Sequence, residues 1–153
     1  MVTPEQFKVL LPLACEWAQQ QEKRILENGV ALNVDQQIDA FLVGIKDPSI
    51  VRLLKVDRVP VPSHPALKAA VEMTGLISTT TAGVSFRYGI YIRSDCWNQR
   101  VLVVHELVHT MQYERLGGFK PFLNQYLLEC LTYGYPLGSL EQEAKRIEKD
   151  ICK

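Results

Sequence analysis

The chain has 153 residues, of which 47% are apolar and 22% are charged, and its formal net charge at pH 7 is +0. This composition is that of one folded globular domain and excludes an intrinsically disordered chain. The balanced charge, with no basic run, argues against a nucleic-acid or anionic-membrane partner. No apolar stretch is long enough to span a bilayer and no export signal is visible, so we expect a cytoplasmic protein.

Residues 1–75 predict a helical N-terminal part of that single domain. Thr3 to Gln6 reads as a capping box with proline at the first helical position, so a long amphipathic helix should run from there to Gly29. A second helix should begin after Asn33 or Asp35 and end at Asp47-Pro48.

An extended segment and a short helix should complete this part. The partly alternating apolar residues of Val51–Val61 predict a strand or extended run, which Pro60 and Pro62 interrupt. The pattern over Pro65–Thr74 predicts a short helix that ends at Gly75.

Residues 76–153 predict a strand followed by three helices. Val84–Ile92 is rich in β-branched and aromatic residues and should form one strand. A buried helix should begin after Ser94 or Asp95 and end at Gly117-Gly118, and another should cover Phe119–Tyr133. A capping box over Ser139–Gln142 should open the last helix.

The buried helix carries the motif His105-Glu106-Leu107-Val108-His109. Positions i and i+4 share one face of a helix, so His105 and His109 can bind one metal ion together. Glu106 lies beside them, where it can act as a general base on a metal-activated water. Buried imidazoles require partners, and a zinc ion would supply one.

A catalytic zinc takes three protein ligands, so one more is needed. The remaining histidine, His64, lies in a proline-flanked turn, which makes a carboxylate the better candidate. With its HExxH helix and a glutamate on a later helix, the chain resembles the gluzincin class of zinc metallopeptidases over about 84–153. By this resemblance Glu141 is the expected third ligand and Glu143 points elsewhere, while Lys145 stands where the family usually has an aspartate.

The resemblance implies a mostly helical, zincin-like α+β domain over 1–153, with a small mixed or antiparallel sheet packed on the HExxH helix. It implies a Zn²⁺-dependent peptidase that acts on a peptide or protein substrate. The strand before the motif helix would hold the substrate through Tyr88, Gly89 and Tyr91. Candidate donors to the oxyanion that forms on the substrate are Tyr88, Tyr133, Tyr135 and Arg93.

Two other interpretations stay open at this point. The chain can be a catalytically weak or inactive zinc module that recognises a peptide or a partner protein. It can also hold a structural zinc with Glu143 or His64 as a fourth ligand, although Glu106 would then have no use. Support for the ligand histidines should come from Glu114, Glu129 or a backbone carbonyl. The sequence leaves substrate preference and oligomeric state undetermined.

Overall fold

A computed structural model describes residues 2–153, which form six α-helices around one four-stranded sheet. The helices are α1 (Pro4–Asn28), α2 (Val34–Val43), α3 (Pro65–Thr74), α4 (Arg100–Leu116), α5 (Phe119–Tyr133) and α6 (Ser139–Ile151). The strands are β1 (Val30–Ala31), β2 (Arg52–Val56), β3 (Gly83–Phe86) and β4 (Gly89–Arg93). The prediction of a mostly helical α+β fold with a small sheet is confirmed. No helix within residues 2–153 combines the length and apolar character needed to cross a membrane.

The sheet is mixed and has the order β1-β2-β4-β3. The β2–β4 pair is parallel, and the two outer pairs are antiparallel. The prediction of a single strand over Val84–Ile92 is wrong, because the chain reverses at Arg87 and Tyr88 to form the β3–β4 hairpin. Arg87 has φ 61, in the left-handed region. Its side chain makes a two-point ion pair with the buried Glu22 of α1, which holds this turn in place.

Helices pack against both faces of the sheet, and the alternation of β4 shows how. Ile90 and Ile92 point into a core that includes residues of α2, α4 and α6. Tyr91, between them, points into a second core that includes residues of α1, α3 and α5. Successive strand residues face opposite sides of a sheet, so β4 is apolar on both faces. Each core takes residues from both halves of the chain.

Helix ends that depend on local sequence agree with prediction. Thr3 and Gln6 form the capping box of α1, Asn33 caps α2, and α3 and α4 end at Gly75 and Gly117. Three other predicted limits are wrong, the first of which is the end of α2. The α2 helix ends at Gly44 rather than at Asp47-Pro48, because Gly44 adopts a left-handed conformation.

The beginnings of α4 and α6 also differ from prediction. Ser94 and Asp95 lie in a separate 3₁₀ turn, and Gln99 precedes the first residue of α4. The predicted capping box of α6 does not form, since Gly138 is the N-cap. Glu129 of α5 takes over that role by accepting hydrogen bonds from the Leu140 N–H and the Ser139 hydroxyl.

Candidate metal centre

Three potential metal ligands meet between α4 and α6. Because His105 and His109 are one helical turn apart, both direct Nε2 toward the same residue of α6, Glu141. His105 Nε2 lies 3.0 Å from Glu141 Oε2, and His109 Nε2 lies 2.9 Å from Glu141 Oε1. One ligand atom from each residue lies within 4.8 Å of the others. His109 and Glu141 are buried, and the His105 side chain is 13% exposed.

Glu143 points away from this group, as expected. Its carboxylate makes a two-point ion pair with Arg115 and accepts a hydrogen bond from Gln112. The two glutamates are two residues apart on α6, so they project about 200° apart around the helix axis. Glu141 is therefore the carboxylate that the fold places with the histidines.

Gln112 fixes the orientation of His109. Its amide nitrogen donates to the Leu140 carbonyl (2.9 Å) and to Glu143 (2.8 Å), so its amide oxygen faces His109 Nδ1 at 2.7 Å. An amide oxygen only accepts, so His109 Nδ1 carries the proton. In the metal-free site His109 Nε2 also carries a proton, because the Glu141 oxygen 2.9 Å away only accepts. Loss of that proton leaves Nε2 as the free nitrogen that binds a metal.

Glu148 gives His105 the corresponding support. Its carboxylate lies 3.1 Å from His105 Nδ1 and comes from the same helix as Glu141, two turns further on. The predicted supports are wrong: Glu114 binds the Tyr88 hydroxyl and the Lys46 N–H, and Glu129 caps α6. The separation of seven residues from Glu141 is the sequence signal that would have identified Glu148, since such residues share one face of a helix.

Glu106 is buried beside the two histidines and is held by β3. The Ser85 hydroxyl lies 2.7 Å from the Glu106 carbonyl oxygen and 3.1 Å from its Oε1. Burial raises the pKa of the Glu106 carboxyl, while the charges of His105 and His109 oppose that rise. A carboxylate with a raised pKa in a buried site is suited to accept and return a proton near neutral pH.

The ligand group is strongly coupled when no metal is bound. Burial acts to lower the pKa of His105, but the hydrogen bond to Glu141 and the charges of nearby glutamates outweigh it and raise that pKa to about 9. The pKa of His109 is raised by the same contacts against the same burial. Burial acts to raise the pKa of Glu141, but its bonds to both histidines lower it well below the usual range.

Two tyrosines complete the surroundings of the ligands. The Tyr126 hydroxyl of α5 donates to Glu141 Oε1 at 2.6 Å, and its ring makes an edge contact with His109. Burial, with the charge of Glu141, raises the pKa of Tyr126 well above its ordinary value, so it stays protonated as a donor. The helical pattern over Phe119–Tyr133 predicts no polar role for Tyr126, since its contact with Glu141 depends on how α5 and α6 pack. Tyr135, one of the predicted oxyanion donors, lines the same cleft as Glu106 and is 42% exposed.

Two cavities meet at this group. An open cleft of about 460 Å³ contains His105, Glu106, Tyr135 and Glu148 in its lining. A mostly apolar cavity of about 110 Å³ approaches from the other side and contains Glu106, His109, Tyr126, Tyr135 and Glu141 in its lining. Gly83 of β3 also lines both. Glu106 and Tyr135 therefore stand where the cleft and the cavity join.

The residues predicted to hold the substrate lie in or next to β4, away from any free sheet edge. β4 is paired on both edges, so it has no free edge to accept a peptide. Gly89 packs against Ile25 so closely that an added Cβ would lie 2.9 Å from the Ile25 Cβ. Tyr91 is fully buried and its hydroxyl donates to Gln21. The structure thus uses Gly89 and Tyr91 for packing.

The remaining predicted residues do not join the ligand group. The Tyr88 hydroxyl donates to Glu114, and the Arg93 guanidinium binds Asp95 and the Thr80 carbonyl. Tyr133 is 62% exposed and lies in the lining of neither cavity. His64 caps α3, so it is not positioned to serve as the fourth ligand of a structural zinc site.

Comparisons of the chain with protein-family models, curated proteins and solved structures gave no match. The likeness to gluzincins consequently rests on the HExxH motif and on the position of Glu141.

Proposed function

We propose that the protein is a zinc-dependent hydrolase of the metallopeptidase type, acting on peptide substrates. One observation carries this proposal: His105 Nε2 and His109 Nε2 converge within 3.0 Å of the Glu141 carboxylate, with Glu106 buried next to them. A purely structural pair of histidines would have no need of a second buried carboxylate beside it.

The donor set fits zinc. Zinc accepts imidazole nitrogen and carboxylate oxygen at about 2.0–2.2 Å, and three protein ligands leave a fourth position for water or substrate. Gln112 and Glu148 hold the outer nitrogen of each ring, as support residues of metal sites usually do. Tyr126 holds one oxygen of Glu141, which favours coordination through the other.

The residues around the ligands have separate roles in this proposal. Zinc bound there would lower the pKa of a water molecule and polarise the carbonyl of the substrate. Glu106, fixed by Ser85, removes a proton from the attacking water and passes it to the leaving amine. The Tyr135 hydroxyl donates to the oxygen of the substrate carbonyl as negative charge develops on it.

The free edge of β3 is the proposed binding edge for the peptide backbone. The Arg93 N–H donates to the Ala82 carbonyl at 2.8 Å, so alternate residues from Ala82 onward direct their backbone groups at β4. Gly83 then directs its N–H and carbonyl to the outer edge, beside Glu106, and Ser85 directs its N–H there, while the Ser85 carbonyl already accepts from the Tyr113 hydroxyl. A peptide could add there as a further strand, with the open cleft taking its polar groups.

The test compares metal content and hydrolysis in four proteins: wild type and the Glu141→Gln, Glu143→Gln and Glu106→Gln variants. Wild type and Glu143→Gln should bind about one zinc, since Glu143 lies outside the site, and Glu141→Gln should bind it far more weakly. Glu106→Gln should keep its zinc and lose hydrolysis of a fluorogenic peptide library by about 10²–10⁴-fold.

Three outcomes would count against the proposal in different ways. A wild-type protein that takes up no zinc after reconstitution would refute the metal site. Equal hydrolysis by wild type and Glu106→Gln would refute the role of the base. Zinc binding with peptide capture but no cleavage would instead identify a recognition module.

A further inference from the structure

The apolar cavity is longer than a pocket that binds one amino-acid side chain of a substrate would need to be. Its lining follows α1 from Phe7 to Ala18 and α5 from Phe122 to Leu131. At 1.5 Å per residue these runs are about 16 Å and 13 Å long. About 110 Å³ of the cavity is open to the centre of a water molecule, and over that length this space is narrow.

The polar side chains of this lining are gathered around the metal centre. Glu106, His109, Tyr126, Tyr135 and Glu141 belong to the metal centre or stand beside it. Ser85 and Tyr113 are tied to it as well: Ser85 donates to Glu106, and the Tyr113 hydroxyl donates to the Ser85 carbonyl. Beyond them the lining offers only the indole of Trp17 and the Thr74 hydroxyl, which donates to its own helix at Val71.

A peptide backbone is therefore a poor occupant of the distal part. There the walls are mainly helices, whose backbone groups are already hydrogen bonded, so a buried peptide would lose its hydrogen bonds to water without replacement. A hydrocarbon chain has no hydrogen bonds to lose, and each methylene removed from water makes binding more favourable. Leu10, Leu76 and Leu131 line the cavity and are half-buried, so the cavity reaches the surface beside them.

We propose that this cavity binds a long, unbranched acyl chain, with the acyl carbonyl next to Glu106 and the chain running between α1 and α5. Binding of the chain does not require hydrolysis. Identifying the acyl group as part of the substrate does rest on the proposed function. In that case the bond cleaved is the amide between the acyl chain and an amino group of a peptide. Water supplies the hydroxyl to the acyl carbon, and its proton reaches the leaving amine through Glu106.

Binding is measured with the N-methylamides of octanoic, decanoic and dodecanoic acids, which share one neutral head group. The readout is the fluorescence of Trp17, which lines the cavity, in a Trp97→Phe background that removes the other of the two tryptophans. The Kd should fall about fourfold per added methylene, which amounts to about a hundredfold or more from octanoyl to dodecanoyl. The measurement is made on metal-free protein and on zinc-loaded Glu106→Gln protein.

A matched pair on α3 tests the location. Ala70 lines the cavity, whereas its neighbour Ala69 is exposed and does not. Ala70→Phe should raise the Kd of the dodecanoyl amide at least tenfold, and Ala69→Phe should leave it unchanged. Ala14→Leu, which narrows the cavity from α1, provides a second blocking variant if Ala70→Phe does not fold.

The outcomes separate this inference from the proposed function. An affinity that does not depend on chain length, or that both phenylalanine variants change equally, would overturn the acyl site. Chain-length-dependent binding without hydrolysis of any acylated peptide would leave the acyl site standing and count against the hydrolase. If unacylated peptides are hydrolysed and an added acyl chain does not change the rate, the hydrolase stands and the acyl site is contradicted.

Discussion

At the scale of single residues, the site depends on groups that never reach the metal position. Gln112 is fully buried, and its three hydrogen bonds join His109 of α4 to Leu140 and Glu143 of α6. It therefore sets both the protonated nitrogen of His109 and the distance between the two ligand-bearing helices. A residue with that position should matter for metal affinity more than for the fold itself.

We expect Gln112→Leu to weaken zinc binding by about 10–100-fold, because His109 Nδ1 loses its acceptor and the ring loses its orientation. Competition with a zinc chelator measures the Kd. Gln20→Leu, an exposed glutamine-to-leucine change on α1, is the control and should leave the Kd unchanged. An unaltered Kd in Gln112→Leu, with the protein folded, would show that this hydrogen bond does not orient the ligand.

At the scale of helices, a side chain of α5 caps the N-terminus of α6 and fixes where that helix begins. Glu129 accepts from the Leu140 N–H at 3.0 Å and takes the place of a local N-cap side chain. Burial acts to raise its pKa, but the hydrogen bonds from the start of α6 lower it overall. A Cβ at Gly138 would lie 2.7 Å from the Glu129 Cβ, so only glycine allows this approach. Glu141 is in the first turn of α6, which makes its position depend on the cap.

Glu129→Ala should lower the free energy of unfolding by about 0.5–2 kcal/mol, the usual effect of losing an N-cap. Zinc affinity should fall as well, since the first turn of α6 carries Glu141. Urea denaturation of the metal-free protein at pH 7 gives the stability, and Glu27→Ala, an exposed change on α1, is the control. Because the folded-state pKa of Glu129 is lowered, its contribution should vanish as the pH falls through about 4.5 and below. Equal stability of the two variants at pH 7 would contradict the capping role.

The same helices show which features the sequence predicts and which it does not. The capping box of Thr3 and Gln6, and the glycines that end α3 and α4, are local signals and were predicted correctly. The His105 and His109 spacing is also local. The seven-residue separation of Glu141 and Glu148 is local too. The Glu129 cap, by contrast, depends on which helices pack together, and one-dimensional spacing does not contain that information.

Periodicity also predicts a helix without telling which of its faces is covered. The apolar side chains of α2 at Val34, Ile38, Phe41 and Leu42 are more than half exposed. The buried face of the helix carries Ala40 and Val43 together with Asp39, which makes a two-point ion pair with Arg100 of α4. An ion pair between two helices has no signature in the sequence of either one. Tertiary packing has here overridden the hydrophobic pattern.

For the whole molecule, the two halves of the chain contribute different things to the site. The potential ligands and the proposed base come from 76–153. The N-terminal half supplies α1 and α3, which form much of the apolar cavity beside the ligands. Because both cores contain residues from both halves, metal binding should affect the stability of the entire chain.

Zinc should therefore reverse the pH dependence of stability. In the metal-free protein the pKa of His105 is raised from 6.5 to about 9 and that of His109 is also raised. A histidine whose folded-state pKa is raised contributes stability that is complete below about pH 6.5 and is lost as the pH rises toward 9. The zinc-bound protein needs both rings neutral, so its affinity increases over the same range.

Thermal unfolding at pH 6.5, 7.5 and 8.5 tests this, with free zinc held at about 100 times its Kd at pH 7.5 or with chelator. Zinc at an effective excess of 100 times its Kd stabilises by about 2.7 kcal/mol, and for a chain of this length that corresponds to a Tm increase of about 5–10 °C. The difference in Tm between zinc-loaded and chelated protein should widen as the pH rises, because the chelated protein loses stability and the zinc-loaded protein gains it. Glu141→Gln removes the carboxylate that both states require, so it should abolish the widening. A gap that is constant across the three pH values would mean that the histidines are not the groups that bind zinc.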